Sequence, residues 1–464
     1  MLSSLLFLAA CAAPSPVAPT VTAVPPTVIP PTATATPVPV TPSPTPLPTL
    51  TPVPTPVPGG LYVDPSMSLG PISHFSYGTN HGPWAVVPYD SRQAFLDSGI
   101  TFIRFPGGNW GDENDLDATQ IDQFIALCRS INAEPQISVR LKGGDPGKAA
   151  ALVKYTLDKG YHVRYWSIGN EPNLYDTKNK TWPDDRYNTE WRAIALAMRA
   201  QDPTIKLLGP EIHQFFPNPP AGSNEAAARE TLRQFLKVNG DLVDIVSIHR
   251  YPFPQQQGEG PPPVDKLLAN PKEWDTIIPD LRAVIRESAG RDLPIAVTEF
   301  NSTWSNWCCA QTTPDSLYGA LWLGDVMGRM IRQKVDIMTM FTLQHSQSGL
   351  GLFDRFDPKP MYYVFQLYKR FGDELIYSSS DDNQVSIYTA RRSDGTLTLM
   401  LLNLGGKDVA KPLLLKGIDT PRDAEVYRLD TGHNAGKVAA EKVGGNASIT
   451  LPAYSMSLYV MSGQ

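Results

Sequence analysis

Two glutamates stand where runs of β-favouring residues end. Glu171 closes Tyr165-Trp166-Ser167-Ile168-Gly169-Asn170-Glu171 and is followed by Pro172-Asn173; Glu299 closes Ile295-Ala296-Val297-Thr298-Glu299 and is followed by Phe300-Asn301. Such runs read as buried strands. Carboxylates at the C-terminal mouths of two parallel strands in one barrel would face each other across the open cup that the βα loops build. Cleavage of a glycosidic bond needs such a pair. One carboxylic acid protonates the leaving oxygen, and the second carboxylate either attacks the anomeric carbon from about 5–5.5 Å or, set farther away, activates a water. Taken singly, Glu171 reads equally well as an acid in the first turn of a following helix, where Asp and Glu are common.

Other strand ends carry groups that suit the same task. Arg104, in Arg104-Phe105-Pro106-Gly107-Gly108-Asn109, could pair with Glu299 and keep it a nucleophile. Asn109 could bind a sugar hydroxyl, and Asn170 the 2-hydroxyl, a contact that strengthens at the transition state. His249-Arg250-Tyr251 ends another strand, and Tyr251 could donate to Glu299. Gln344 follows the last strand. Trp84, Trp110, Trp182, Trp304 and Trp307 fall near expected βα loops, where an indole could stack on a sugar face or simply brace the loop. Each group has a structural alternative: Arg104 as a rim ion pair, His249 as a satisfied core histidine, Tyr251 as an apolar lid. Their joint occurrence at strand ends favours a site.

The elements that would position these residues are legible between Gly60 and Gly372. Strands are expected near His74–Tyr77, Phe102–Phe105, Gln136–Val139, Tyr165–Ile168, Leu207–Leu208, Ile245–Ile248, Ile295–Thr298 and Ile337–Phe341. Helical periodicity lies between them, as in Ile121, Phe124, Ile125, Cys128 and Ile131, and in Trp191, Ile194, Ala195 and Met198. Pro279 is expected to kink or restart its helix. Eight strands alternating with helices predict an α/β fold of the (β/α)8 TIM-barrel type over residues 61–373. Beyond Phe371 the period changes to two, with Ser393-Asp394-Gly395 as a hairpin turn. That predicts an all-β sandwich over 374–464, to which 61–70 could add a strand.

The chain has 464 residues, 42% hydrophobic and 19% charged, with a net charge of −6. This balance, without a Lys/Arg cluster, argues against a nucleic-acid partner. Residues 1–11 read as a lipoprotein-type signal in which Leu8-Ala9-Ala10-Cys11 supplies a lipidated Cys11, although no Lys or Arg precedes it. Residues 12–60 are Pro/Thr-rich and read as an extended linker. Together they predict an extracellular protein tethered to a bacterial surface, touching the membrane only through the lipid on Cys11. Cys128 fits an apolar helix face, and the redox state of Cys308-Cys309 is open. No ligand-spaced His/Cys/Asp cluster or Gly-rich dinucleotide loop is present, so neither metal nor cofactor is expected.

The residues resemble glycoside hydrolase clan A, in which an Asn-Glu acid/base stands on the fourth barrel strand and a Glu nucleophile on the seventh. Trp166 to Asn173 and Thr298-Glu299-Phe300-Asn301-Ser302 are similar to family 39, the β-xylosidases and α-iduronidases. Arg104 to Asn109 and Ser247-Ile248-His249-Arg250-Tyr251 look more like family 51, and Tyr77-Gly78-Thr79-Asn80 like family 44. Pro358 to Tyr363, leading into the last barrel helix, is shared by several of these families. The resemblance implies a retaining glycosidase, with Glu171 as acid/base and Glu299 as nucleophile. Arg104, Asn109, Asn170, His249 and Tyr251 would surround the −1 sugar. The substrate would be a plant or microbial poly- or oligosaccharide, cleaved in a β-xylosidase/xylanase-like or endo-β-glucanase-like manner. An α-L-arabinofuranosidase is the alternative, and a non-catalytic carbohydrate-binding protein on the same barrel is another. The chain departs from family 51 in lacking its acidic residue at the end of strand one. It also lacks the clan's frequent strand-eight Trp, with Phe341, Gln344 or His345 standing there instead.

Overall fold

Eight parallel strands close into a barrel in sequence order: Gly78–Asn80, Phe102–Phe105, Glu134–Val139, Tyr165–Ile168, Lys206–Ile212, Ile245–Arg250, Ile295–Phe300 and Ile337–Met340. The structure, a computed structural model, describes residues 57–87, 89–175, 184–253, 260–346, 348–445 and 448–461. Cys11, the proline-rich segment through 56 and Trp182 lie outside the described residues. No helix among the described residues is long and apolar enough to cross a membrane.

Alternation along the strands decides what faces the barrel axis. Phe102, Tyr165, Leu208, Ile245, Ala296 and Ile337 form a buried apolar layer at the bottom. Their neighbours Ile103, Trp166, Leu207, Val246 and Val297 point outward into the core shared with the helices. The first strand differs from expectation. His74–Ser76 is a 3-10 turn capped by the Ser73 hydroxyl, and the strand begins at Gly78. Phe75 is not a strand residue but a plug, 5.1 Å from the Phe102 ring and 5.4 Å from Tyr165 between centroids. Gly78 must be glycine, because a Cβ there would come within 2.4 Å of the Met338 carbonyl.

The helix Ala118–Ile131 begins with an Asp117/Gln120 capping box and buries its five periodic residues. The helix Trp274–Ala289 runs through Pro279 as one element, so the expected restart is absent. Pro279 forgoes one backbone bond, and burial of six side chains from Trp274 to Ile285 holds the helix together regardless.

Beyond the barrel, strands from Glu374 to Met461 form a β-sandwich joined by Leu61–Pro71, which pairs antiparallel with Glu374–Ser380 and parallel with Val409–Leu415. Here, too, period two is decisive. Ile387, Leu399, Leu401 and Tyr459 face the sandwich's own core, while Tyr388, Met400, Leu402, Met456 and Leu458 join the barrel's core. The sandwich is thereby fixed to the barrel through a buried, largely apolar face.

Candidate active site

Layers above the apolar floor turn polar, and the charged groups collect at the C-terminal mouth. Arg104 rises from the second strand with no solvent exposure. Its Nη1 donates to Asn80 Oδ1 (2.9 Å) and Glu299 Oε2 (3.1 Å), and its Nη2 donates to Asn170 Oδ1 (2.8 Å). Glu299 also accepts from the Gly108 N–H at 3.1 Å and the Tyr251 hydroxyl at 2.6 Å. Three donors thus address its two oxygens, a set that suits an acceptor-only carboxylate.

A slip in register aims Glu299. Ile248 pairs with Val297 but His249 pairs with Glu299, leaving Thr298 as an extra residue. This bulge lets both Thr298 and Glu299 reach the barrel interior, and such slips recur next to active sites.

Glu171 follows the fourth strand in left-handed backbone (φ 47°), with its N–H bonded to the Glu211 carbonyl. The preceding Asn170 is fixed twice. Its N–H donates to Asp112 Oδ2 (2.8 Å), and its side-chain amide donates to Asn109 Oδ1 (2.9 Å). Asp112 comes from the short helix Trp110–Glu113 and also receives the Leu141 N–H and the Tyr175 hydroxyl. Burial raises the Asp112 carboxyl above its usual range despite these donors.

Glu171 Oε1 faces two histidines, His213 Nδ1 at 2.7 Å and His249 Nδ1 at 2.9 Å. Burial alone would raise its pKa, but the two imidazoles bring it down to about 2. Burial would likewise depress His249, yet Glu299, Glu171 and Glu211 hold it up to about 9. Carboxylate oxygens of Glu171 and Glu299, together with a His249 nitrogen, lie within 4.8 Å of one another.

Sequence reading missed Glu211, Asp112 and His213. Glu211 is fully buried at the end of the fifth strand, which runs to Ile212 rather than stopping near Leu208. The strand-end tripeptide Gly209-Pro210-Glu211 was the available signal, since it repeats the turn-then-carboxylate pattern of Gly169-Asn170-Glu171. His249 was expected to touch sugar. Instead its ring lies wholly inside, both nitrogens turned to glutamates, with Nε2 2.9 Å from Glu211 Oε2. Gln344 bonds to neither glutamate. Its amide donates to the Arg355 carbonyl, and it borders a cavity with Trp84, His345 and Phe356. Trp304 stands at the mouth, 40% exposed, its ring 5.9 Å from Tyr251 and 5.3 Å from His213. In place of a strand-eight Trp, Phe341 sits beside Gly108 and tilts against Trp84.

The profile of glycosyl hydrolases family 39 matches residues 152–403, more than half of the chain and inclusive of both Glu171 and Glu299. The chain belongs to that family. This family 39 chain is 26% identical over 273 residues to a β-xylosidase from Geobacillus stearothermophilus, covering 52% of this chain and 47% of that one. It is 24% identical over 299 residues to heparanase from Bos taurus, covering 60% and 52%. The chain thus spans about half the length of the curated relatives it matches. Among solved structures, it superposes on an α-L-arabinofuranosidase from Thermotoga maritima with a TM-score of 0.69 at 18% identity, covering 87% and 99% of the two chains. A family 44 xyloglucanase from Paenibacillus polymyxa gives 0.67 at 14%, with coverage of 87% and 99%. At these identities the likeness is one of fold. The resemblance read from the motifs, to clan A and to families 39, 51 and 44, is met by these matches.

Proposed function

We propose that the chain is a retaining glycoside hydrolase in which Glu299 attacks the anomeric carbon and Glu171 serves as acid, then base. The observation that carries this reading is the approach of the two carboxylates to within 4.8 Å. So close an approach of their oxygens favours direct attack, for which the carboxyl groups stand about 5–5.5 Å apart, over the wider spacing of an inverting pair. Arg104, Gly108 and Tyr251 would orient Glu299 for the attack. Asn170, held by Arg104 and Asn109, would meet the 2-hydroxyl. The two histidines hold Glu171 ionised in the free site, the state the second step requires, so for the first step it must take up a proton as bound glycoside excludes water from the mouth. Trp304 offers an exposed indole face for sugar at the rim.

The β-xylosidase relative supports a β-xylosidic or β-glucosidic poly- or oligosaccharide as substrate. We further infer, from Leu8-Ala9-Ala10-Cys11 and the proline-rich stretch behind it, that the enzyme works outside the cell on a lipid tether at Cys11. A Cys11→Ser variant that remains membrane-associated would refute the tether.

The deciding experiment offers the full chain nitrophenyl glycosides and polysaccharides, with Glu299→Ala alongside, and follows the first-formed anomer by NMR. Retention, loss of activity in the variant, and a covalent adduct on Glu299 with a 2-fluoro glycoside are expected. Inversion, or an adduct elsewhere, overturns the assignment. Polysaccharide binding without hydrolysis would favour the carbohydrate-binding alternative.

A further inference from the structure

Glu211 is a third carboxylate in the barrel mouth, and the two-step reaction gives it no part. It is fully buried, its Oε2 is 2.9 Å from His249 Nε2 and bonded to the Thr298 hydroxyl, and Arg104 Nη2 lies 3.8 Å away. Burial would raise its pKa, but the Arg104 charge and the His249 and Thr298 bonds lower it. An ionised Glu211 is an acceptor only, so Nε2 of His249 must carry a proton. The other ring nitrogen, Nδ1, faces Glu171 Oε1, which also lies 2.7 Å from His213 Nδ1. Glu171 Oε2 has no protein partner among the described residues.

The state of His249 therefore decides which oxygen of Glu171 carries the acid proton. With Nδ1 protonated, Oε1 accepts; Glu171 is then ionised in the free site, and the proton it takes up for the acid step can sit only on Oε2. With Nδ1 bare, the ring demands the proton on Oε1, away from Oε2. The charged groups facing the imidazole are Glu171, Glu211 and Glu299, with Arg104 behind Glu211 and His213 sharing Glu171. Tyr251, just beyond the same strand, is turned to Glu299.

We propose that Glu211 is a positioning residue for the acid step: by accepting the Nε2 proton of His249 it keeps that ring doubly protonated, so Nδ1 donates to Glu171 Oε1 and confines the acid proton to Oε2. The inference rests on Glu171 being the acid/base. Only the location of a proton is at issue, and no other bond is made or broken.

The test is NMR of the full chain carrying 15N-labelled histidine, with the His249 signals, one set among seven histidines, assigned by their loss in His249→Asn. In the wild type both ring nitrogens of His249 should be protonated at neutral pH. In Glu211→Gln the ring should titrate about one pH unit or more lower, since a charge partner is lost. A bare ring nitrogen in the wild type at neutral pH overturns the proposal, and this needs no variant to fold. A variant titrating like the wild type also overturns it. A kinetic arm separates positioning from simple structural damage. Glu211→Gln should lose about tenfold or more in kcat on glycosides with poor leaving groups, which need the acid, and much less on dinitrophenyl glycosides. Equal losses on both refute the positioning role. If no glycoside is cleaved, the reading of Glu171 fails, while the spectra still decide the state of His249.

Discussion

The Tyr251 hydroxyl donates to Glu299 Oε1 at 2.6 Å, from a side chain that is itself fixed at its backbone by Gln214. The Gln214 amide accepts the Tyr251 N–H at 3.0 Å and donates to the Tyr251 carbonyl at 2.7 Å. The segments that follow two strands therefore cooperate to place one hydroxyl. Removing it in Tyr251→Phe deletes a hydrogen bond to a charged group, worth about 1.5–3 kcal/mol. If that bond serves the reaction, kcat/KM should fall by about 10- to 150-fold. The ring remains packed, so the melting temperature should change little. Steady-state kinetics beside thermal unfolding would check both halves; unchanged kinetics would remove Tyr251 from the reaction.

Arg104 is the hub that a lysine could not replace. A planar guanidinium on the second strand reaches Asn80, Asn170 and Glu299 at once and neutralises Glu211 from 3.8 Å. Arg104→Met would leave two buried carboxylates short of their cation. Stranding a buried charge in this way costs about 3–5 kcal/mol. Denaturant unfolding should report that loss, and Arg104→Lys should recover part of the stability but little of the activity. Wild-type stability in Arg104→Met would mean that the glutamates are neutralised by other groups.

Much of this site was legible because its members stand at the ends of strongly apolar strands. Arg104, Glu171, Tyr251 and Glu299 each follow a run that could scarcely be anything but a buried strand. The residues that escaped lack such a frame. Glu211 follows only Leu207-Leu208 before Gly209-Pro210, and a proline argues against a central strand. Asp112 sits on a four-residue helix too short to show any period. The first strand, Gly78-Thr79-Asn80, has almost no β-favouring residues, while the aromatic Phe75 and Tyr77 just before it drew the boundary too early. Phe75 is apolar because it plugs the barrel floor, a tertiary reason that no local pattern reveals. His249 and Gln344 were correctly read as polar groups at strand ends, but where each side chain turns depends on partners distant in sequence or in a later turn, Glu211 in one case and Arg355 in the other.

Stability should respond to pH at both ends of the range through one cluster of buried groups. His249 titrates near 9 when folded, above its ordinary 6.5, so its contribution is complete below about pH 6.5 and is lost as pH rises through about 9. Glu171 titrates near 2, below its ordinary 4.5, so its contribution is complete above about pH 4.5 and is lost as pH falls through about 2. The two limbs share the His249–Glu171 contact, with Glu299 adding most to the first and His213 most to the second. Thermal unfolding across this range should therefore show a plateau between about pH 4.5 and 6.5 with declines on either side. His249→Gln should flatten the alkaline decline between about pH 6.5 and 9 and make the acid one shallower. An alkaline limb that survives intact in the variant would assign it to other groups.

The seam between barrel and sandwich makes a prediction away from the chemistry. Tyr388 lies flat against the helix Leu317–Arg332, its hydroxyl bonded to Asp325 Oδ1 at 2.5 Å, and Arg329 pairs with the same aspartate at 3.0 Å. The ring can approach so closely because position 328 is glycine; a Cβ there would lie 2.3 Å from the Tyr388 ring. That ring cannot swing aside, since both faces of its strand are buried and its hydroxyl is anchored. Gly328→Ala should gain a little helix propensity, under about 1 kcal/mol, and lose more to overpacking, about 1–3 kcal/mol. The net expectation is a lower melting temperature with kcat nearly unchanged, because the seam lies outside the barrel mouth. A melting temperature equal to or above that of the wild type would show that the sandwich can shift on the barrel to admit a methyl group.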